Sequence, residues 1–263
     1  TMMRNSRTGS GKMRNVIALL GLAVVVAAGM GCQSVPPLTA APDVDVYLVR
    51  QADQAITIDG RLDEPAWQRA DVLSQFFVFS PANPPSISPT LVRLLWDGEY
   101  LYLAYQCEDK DIWSFSGEQD DSLWNGDVAE FFIKPYRDQM LYYEFVFAPN
   151  ATVFDGRYPS RGAGGANRFK VWNSGAKAAS TVNGTDNDHR DDDVGYVIEA
   201  AIPWEAFREA GKPTIGTEWT FGAFRYDYSK LFEDPLLLKS FPGEASHGFH
   251  SYEGYTDMRF VSR

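Results

Sequence analysis

From Val46 onward, apolar and polar residues alternate with a period of two, which predicts strands whose two faces meet different surroundings. The clearest runs are Leu91–Trp96, Leu101–Cys107, Val128–Ile133, Tyr142–Ala148, Tyr196–Ile202 and Phe221–Tyr228; weaker ones are Val46–Val49, Ala55–Ile58, Phe169–Trp172 and Met258–Val261. Val92, Leu94 and Trp96 share one face, and Leu101, Leu103, Tyr105 and Cys107 share a face of the next run. These are core positions, and Trp96 is read as packing. Asp97-Gly98 between the two runs is a hairpin signal. Two stretches, Asp63–Ala70 and Trp204–Ala210, read as short helices, the first capped by Asp63 with Trp67 four residues on and facing inward. No repeat is evident at a period of 20 to 50 residues, so solenoids and propellers are set aside. The expected fold is all-β: an antiparallel β-sandwich, jelly-roll or immunoglobulin-like, with one or two short helices.

Composition agrees with this pattern. The chain carries 22 Gly and 15 Pro beside 13 Tyr, 17 Phe and 7 Trp, a mixture suited to many short strands separated by turns. Its formal net charge of -11 disfavours nucleic acid, whose phosphates are bound by Lys and Arg.

The N-terminus has a different character. Arg4, Arg7, Lys12 and Arg14 precede an apolar run from Val16 to Ala28, and Gly29-Met30-Gly31 leads into Cys32. The run is short for a membrane span, which needs roughly 20 residues. Residues 1–32 read as a lipoprotein signal with Cys32 as the lipidation site, and plain secretion or an uncleaved anchor is the alternative. Residues 33–45, rich in Pro, Ala and Ser, read as a flexible linker, and 46–263 as one domain. The protein is then expected in the cell envelope, lipid-anchored in the periplasm or at the outer membrane. Cleavage would remove four basic residues and no acidic one, making the mature chain more acidic still. With Cys32 lipidated, Cys107 is the one remaining thiol of the chain's 2 Cys, which leaves no intramolecular disulfide.

Five motifs follow one another: IDGRLDEPAWQRA from Ile58, VRLLWDGEYLYLAYQCEDKDI from Val92, WNGDVAEFFIKP from Trp124, GYVIEAAIPWEAF from Gly195 and WTFGAFRYDY from Trp219. In this order they resemble carbohydrate-binding module family 9, over about Ile56 to Phe260. The resemblance implies a jelly-roll-like sandwich that binds a glycan, often beside glycoside hydrolase domains and often with structural calcium.

Trp124 sits on a polar loop outside any alternating pattern, where an aromatic ring can stack on the apolar C–H face of a sugar. The resemblance implies that Trp124 stacks on the ligand and that Glu130, in a WxxDxxE pattern with Asp127, accepts hydrogen bonds from its hydroxyls. A strand carboxylate paired with arginine or bound to calcium is the other reading of Glu130. Phe249, followed by His250, matches the second stacking aromatic of such members. Their site arginine falls on Val146 here, and Arg225 is either its replacement or the partner of a carboxylate.

Three acidic clusters could hold calcium, which takes six to eight oxygen ligands. Asp109 and Asp111 at a strand end, with Glu108, are the preferred candidates. Glu118, Asp120 and Asp121 form the second cluster, and the loop from Asp186 to Asp193 reads as solvated and mobile.

Binding is favoured over catalysis. The chain has 3 His and no GxSxG, HExxH or phosphate loop, although paired carboxylates leave a glycosidase-type reading open. A heme-binding sandwich using Met140, His247, His250 or Met258 is a third class, without a CxxCH motif.

Overall fold

The strongly alternating runs become central strands, and chain segments with weaker patterns supply the edges. A computed structural model describes residues 46–163, 172–242 and 245–263. The described residues all belong to one compact unit. The expected signal and linker lie outside the described residues.

The strands are β1 (Val46–Gln51), β2 (Val72–Leu73), β3 (Phe77–Val78), β4 (Thr90–Trp96), β5 (Tyr100–Glu108), β6 (Val128–Lys134) and β7 (Tyr142–Phe147). They continue as β8 (Val153–Tyr158), β9 (Lys177–Asn183), β10 (Gly195–Pro203), β11 (Glu218–Asp227), β12 (Leu236–Lys239), β13 (Ser246–Phe249) and β14 (Thr256–Val261). One hydrogen-bonded path runs β8-β7-β6-β11-β14-β1-β4-β5-β10-β9, with β12, β3 and β2 attached beside it. Most pairs are antiparallel, but β1 lies parallel to both β14 and β4, joining the two halves of the path. The sheet thus forms a nearly closed barrel or sandwich.

Inward-facing side chains of both halves meet in one core. Leu94, Leu103 and Ile198 from one half pack with Phe131, Tyr143 and Phe145 from the other, all fully buried. Val92, Trp96, Leu101, Tyr105 and Cys107 join them as the alternation predicts. Trp96 is held by a hydrogen bond from its Nε1 to the Val261 carbonyl at 2.9 Å, so it packs rather than presenting a surface. Cys107 is a free, buried thiol.

The predicted helices are not α-helical. Asp63–Ala70 forms a run of turns, and Asp63 caps nothing; it pairs with Arg61 at 3.3 Å. The segment is organised instead by Glu199 of β10, a buried carboxylate that accepts hydrogen bonds from Asp59 N, Gly60 N and Trp67 Nε1 at 2.9–3.0 Å. Three N–H groups drawn to one carboxylate favour local loops over a helical ladder. Trp67 does face inward. Gly60 is obligatory, because it has φ +80° and a Cβ there would lie 2.6 Å from the Ser180 backbone. The second segment shrinks to a single 3₁₀ turn, Trp204–Phe207, wedged in by Trp204, Ala206 and Phe207.

Ala55–Ile58 is irregular, and the run Phe169–Trp172 falls outside the described residues except for Trp172. Strands β8 and β9 lack a clear alternating pattern because they end the path and have one neighbour each. Their exposed edges accept Lys177, Asn183 and Arg157 at little cost.

Candidate functional site

The face of β8-β7-β6-β11 turned away from the main core carries a cavity of about 550 Å³, within the range of small-ligand sites. Register explains its floor. Glu130 of β6 lies opposite Val146 of β7 and Phe224 of β11, and Phe132 lies opposite Glu144. Glu144 in turn faces Gly156 of β8, and Tyr142 faces Tyr158. Period-two alternation therefore brings Glu130, Phe132, Tyr142, Glu144, Tyr158 and Tyr226 to one side.

Trp124 reaches this cavity from a 3₁₀ turn, Leu123–Asn125, just before β6. The WNGD sequence fixes that turn. A Cβ at Gly126 would lie 2.7 Å from both Trp113 O and Phe115 N, so only glycine lets the two backbones approach. Asp127 is fully buried and accepts hydrogen bonds from Trp113 N and Tyr228 N, each at 2.6 Å. The Tyr228 hydroxyl donates to the Trp124 carbonyl at 2.9 Å. Asp127 is thus the anchor of the loop, while the half-buried Trp124 ring sets its edge against Phe154 at 5.3 Å and keeps surface toward the cavity.

Glu130 and Glu144 are 3% and 5% exposed. Burial, with Glu144 nearby, pushes the Glu130 carboxyl well above the usual carboxylate range. Burial lifts Glu144 to about 7, only partly opposed by a hydrogen bond from Tyr158. Glu130 pairs with no arginine among the described residues; its cross-strand neighbour Val146 packs against Leu123, Val128 and Phe154. Because the protonated form of Glu144 is favoured in the fold, its contribution to stability is complete below about pH 4.5 and is lost as pH rises through about 7. Glu144→Gln mimics the protonated acid. We expect equal stability of the two proteins at pH 5 and a variant more stable by about 2–3 kcal/mol at pH 8, measured by urea unfolding. Equal stability at both pH values would show that Glu144 titrates normally.

His250 lines the cavity with its Nδ1 2.8 Å from the Tyr142 hydroxyl. Burial, and then Arg161, lower its pKa to about 4, so it is neutral near pH 7. Phe249 also lines the cavity, but its ring lies flat on Phe224 at 4.2 Å and it is 6% exposed. One of its faces is therefore packed on the protein.

Arg225 does not reach the cavity, correcting its reading as a hydroxyl clamp. Glu130 pairs with Phe224, so the next residue of β11 points to the opposite side. There Arg225 is fully buried, paired to Asp109 at 2.8 Å and to Asp227 at 3.4 Å, and bonded to the Glu108 carbonyl. Among the described residues, the cavity's cationic side chain is instead Arg161, just beyond β8, which sequence reasoning passed over along with Tyr142, Glu144, Tyr158 and Tyr226. Glu144 carried a usable signal: a carboxylate inside an otherwise apolar strand. Arg161 carried none.

The carboxylates of Asp109 and Asp111 face different partners. Asp111 accepts hydrogen bonds from His189 Nδ1 and Lys230 N at 2.7 and 2.6 Å. Asp109 belongs with Asp127 and Asp227, whose carboxylate oxygens lie within 4.8 Å of one another. That donor set fits calcium poorly, because the Arg225 guanidinium already bridges two of the three carboxylates. Burial raises Asp109 to about 6 and Asp127 well above its usual value, so protons and Arg225 share the compensation. In the acidic loop, Asp193 is buried and accepts hydrogen bonds from Ile112 N and Thr185 N at 2.7 Å, a structural role in a segment expected to be solvated.

The heme set is scattered: Met258 is in the core, Met140 is 62% exposed, and His247 contacts Arg161. An aromatic-walled cavity floored by carboxylates on an all-β sheet suits a carbohydrate-binding module. The chain belongs to the carbohydrate family 9 binding domain-like family, which matches residues 58–234.

Solved relatives share the fold. A Bacteroides uniformis protein assigned a carbohydrate-binding role aligns with a TM-score of 0.65 at 15% identity, covering 82% of this chain and 98% of that one. A family 9 carbohydrate-binding module from Caldicellulosiruptor kristjanssonii in complex with cellotriose aligns at 0.56 and 16% identity, covering 82% and 94%. The same organism's family 9 module in complex with glucose gives 0.52 and 15% identity, covering 82% and 97%. Among curated proteins, endo-1,4-beta-xylanase A of Thermotoga maritima is 25% identical over 159 residues, and that of Thermoanaerobacterium saccharolyticum 22% over 178. The matched segments are 60% and 65% of this chain but only 13% of each xylanase.

Proposed function

We propose that the cavity on β8-β7-β6-β11 binds a glycan end, with Trp124 stacking on a sugar ring and Glu130 and Glu144 accepting hydrogen bonds from its polar groups. The observation that carries this reading is the pairing of two buried carboxylates with aromatic walls in one open cavity. A sugar ring has an apolar C–H face and a polar rim, and the cavity offers a partner for each. Tyr142, Tyr158 and Tyr226 supply further ring surface and hydroxyls, and Phe249 supports the wall from behind. The sandwich is read as a jelly roll. The N-terminal sequence supports export with a lipid on Cys32, which would hold the module at the cell envelope, and the resemblance of the segment to part of two xylanases supports a role beside a glycoside hydrolase in polysaccharide breakdown.

Isothermal titration of the protein with cellotriose and glucose, backed by a glycan array, tests the reading. We expect saturable binding of at least one glycan and no release of reducing ends from it. Absence of binding across the array would overturn the site; reducing-end release would overturn the non-catalytic role.

A further inference from the structure

Among the described residues, Glu130 and Glu144 lack what buried carboxylates ordinarily have, a partner cation. Their cross-strand neighbours are Val146, Phe224, Phe132 and Gly156, none of them charged. Among the described residues neither forms an ion pair, and Glu144 Oε2 is buried without a hydrogen-bond partner. Among the described residues, the basic side chains of the cavity wall are otherwise engaged. Arg161 pairs with Glu253 at 2.5 Å, contacts His247 Nδ1 at 3.0 Å and lies over the Tyr252 ring at 4.0 Å. His250 is set against the Tyr142 hydroxyl.

The walls around these two carboxyls are π surfaces: Trp124, Phe132, Tyr142, Tyr158 and Tyr226. Aromatic faces attract cations, and a desolvated carboxylate gains far more from a charged donor than from a neutral one. A neutral hydroxyl leaves the carboxyls protonated, because an ionised pair would stand uncompensated in a low-dielectric site. An ammonium group brings three N–H donors and the missing charge together.

We infer that the preferred ligand of this cavity is an amino sugar, a glycan end whose ring carries a free amine that sits between Glu130 and Glu144. This rests on the reading of the cavity as a sugar site and narrows its substrate class. The ring C–H face still stacks on Trp124, while the amine takes the floor. Binding then draws both carboxyls into the ionised form and releases protons. Acetylation of the amine removes the charge and with it the advantage.

Three trisaccharides of the same β-1,4 linkage separate the possibilities by titration calorimetry at pH 6.5: cellotriose, the glucosamine trimer and the N-acetylglucosamine trimer. The glucosamine trimer is expected to bind about tenfold more tightly than cellotriose, the scale of one charge-assisted contact, and the acetylated trimer no more tightly than cellotriose. In Glu144→Gln the ratio of glucosamine-trimer to cellotriose affinity should fall several-fold, with unfolding curves reporting that the variant is folded. Cellotriose binding as tightly as the glucosamine trimer, or a ratio unchanged in Glu144→Gln, overturns the amine inference while leaving the sugar site standing. No binding of any trimer, together with a blank glycan array, overturns both.

Discussion

Replacing Arg225 with methionine should cost the fold about 3–5 kcal/mol at pH 8, because it removes the cation from a buried cluster and leaves the anions behind. Arg225 is fully buried and contacts Asp109, Asp227, the Glu108 carbonyl and Thr90 Oγ1. Asp127 stands in the same cluster, so three carboxylates within 4.8 Å would face one another alone. Methionine fills much of the volume, so the loss reports charge rather than a cavity. The sign of its pH dependence follows from burial, which raises Asp109 to about 6 even with Arg225 present. A carboxyl raised in the fold stabilises it below its unfolded pKa and ceases to do so as pH rises through the folded value. Without Arg225 that rise is larger, and the penalty should shrink markedly at pH 5, where the carboxyls take up protons. Urea unfolding at pH 8 and pH 5 checks this. A penalty equal at both values would mean that Arg225 matters for packing alone. Asp127 also anchors the loop of Trp124, so the variant that folds should bind glycan more weakly as well.

The second large effect is on binding. Trp124→Ala should weaken the best glycan by about a hundredfold, which corresponds to roughly 3 kcal/mol of lost stacking and apolar burial. The same change should lower stability by only about 1 kcal/mol, since the ring is half-buried and touches the fold mainly through Phe154. Its backbone contacts, the Tyr228 hydroxyl to Trp124 O and the Asp127 clamp, survive the substitution. Affinity by calorimetry and thermal unfolding on the same sample separate the two quantities. Undiminished affinity in a folded variant would place the glycan elsewhere.

The two sides of β11 show how differently the site was legible. Arg225 and Tyr226 are neighbours in sequence, yet one is locked in an ionic cluster and the other lines the cavity. Which side faces Glu130 depends on the register Phe224 to Glu130. A shift of one residue would exchange them. Register between β6 and β11 is a long-range property set by packing of both strands against the rest of the sheet. Nothing local in WTFGAFRYDY expresses it. Phe249 was legible as an aromatic near the site but not as a ring laid on Phe224, because that contact joins segments far apart in the chain.

Local pattern by itself determined the all-β class, the inward faces of β4 and β5, the burial of Trp67 and Cys107, and the placing of Trp124 and Glu130 in a motif whose glycine and aspartate shape one loop. These are consequences of period-two alternation and of short-range backbone geometry, which neighbouring residues control. Tertiary structure alone decided that Glu144 joins Glu130, that Tyr158, Tyr226 and Arg161 line the cavity with them, and that among the described residues the Glu130 carboxyl pairs with no arginine. Those facts arise where strands distant in sequence lie side by side. Burial and the identity of the cross-strand neighbour then turn two ordinary glutamates into a pair that favours the protonated form.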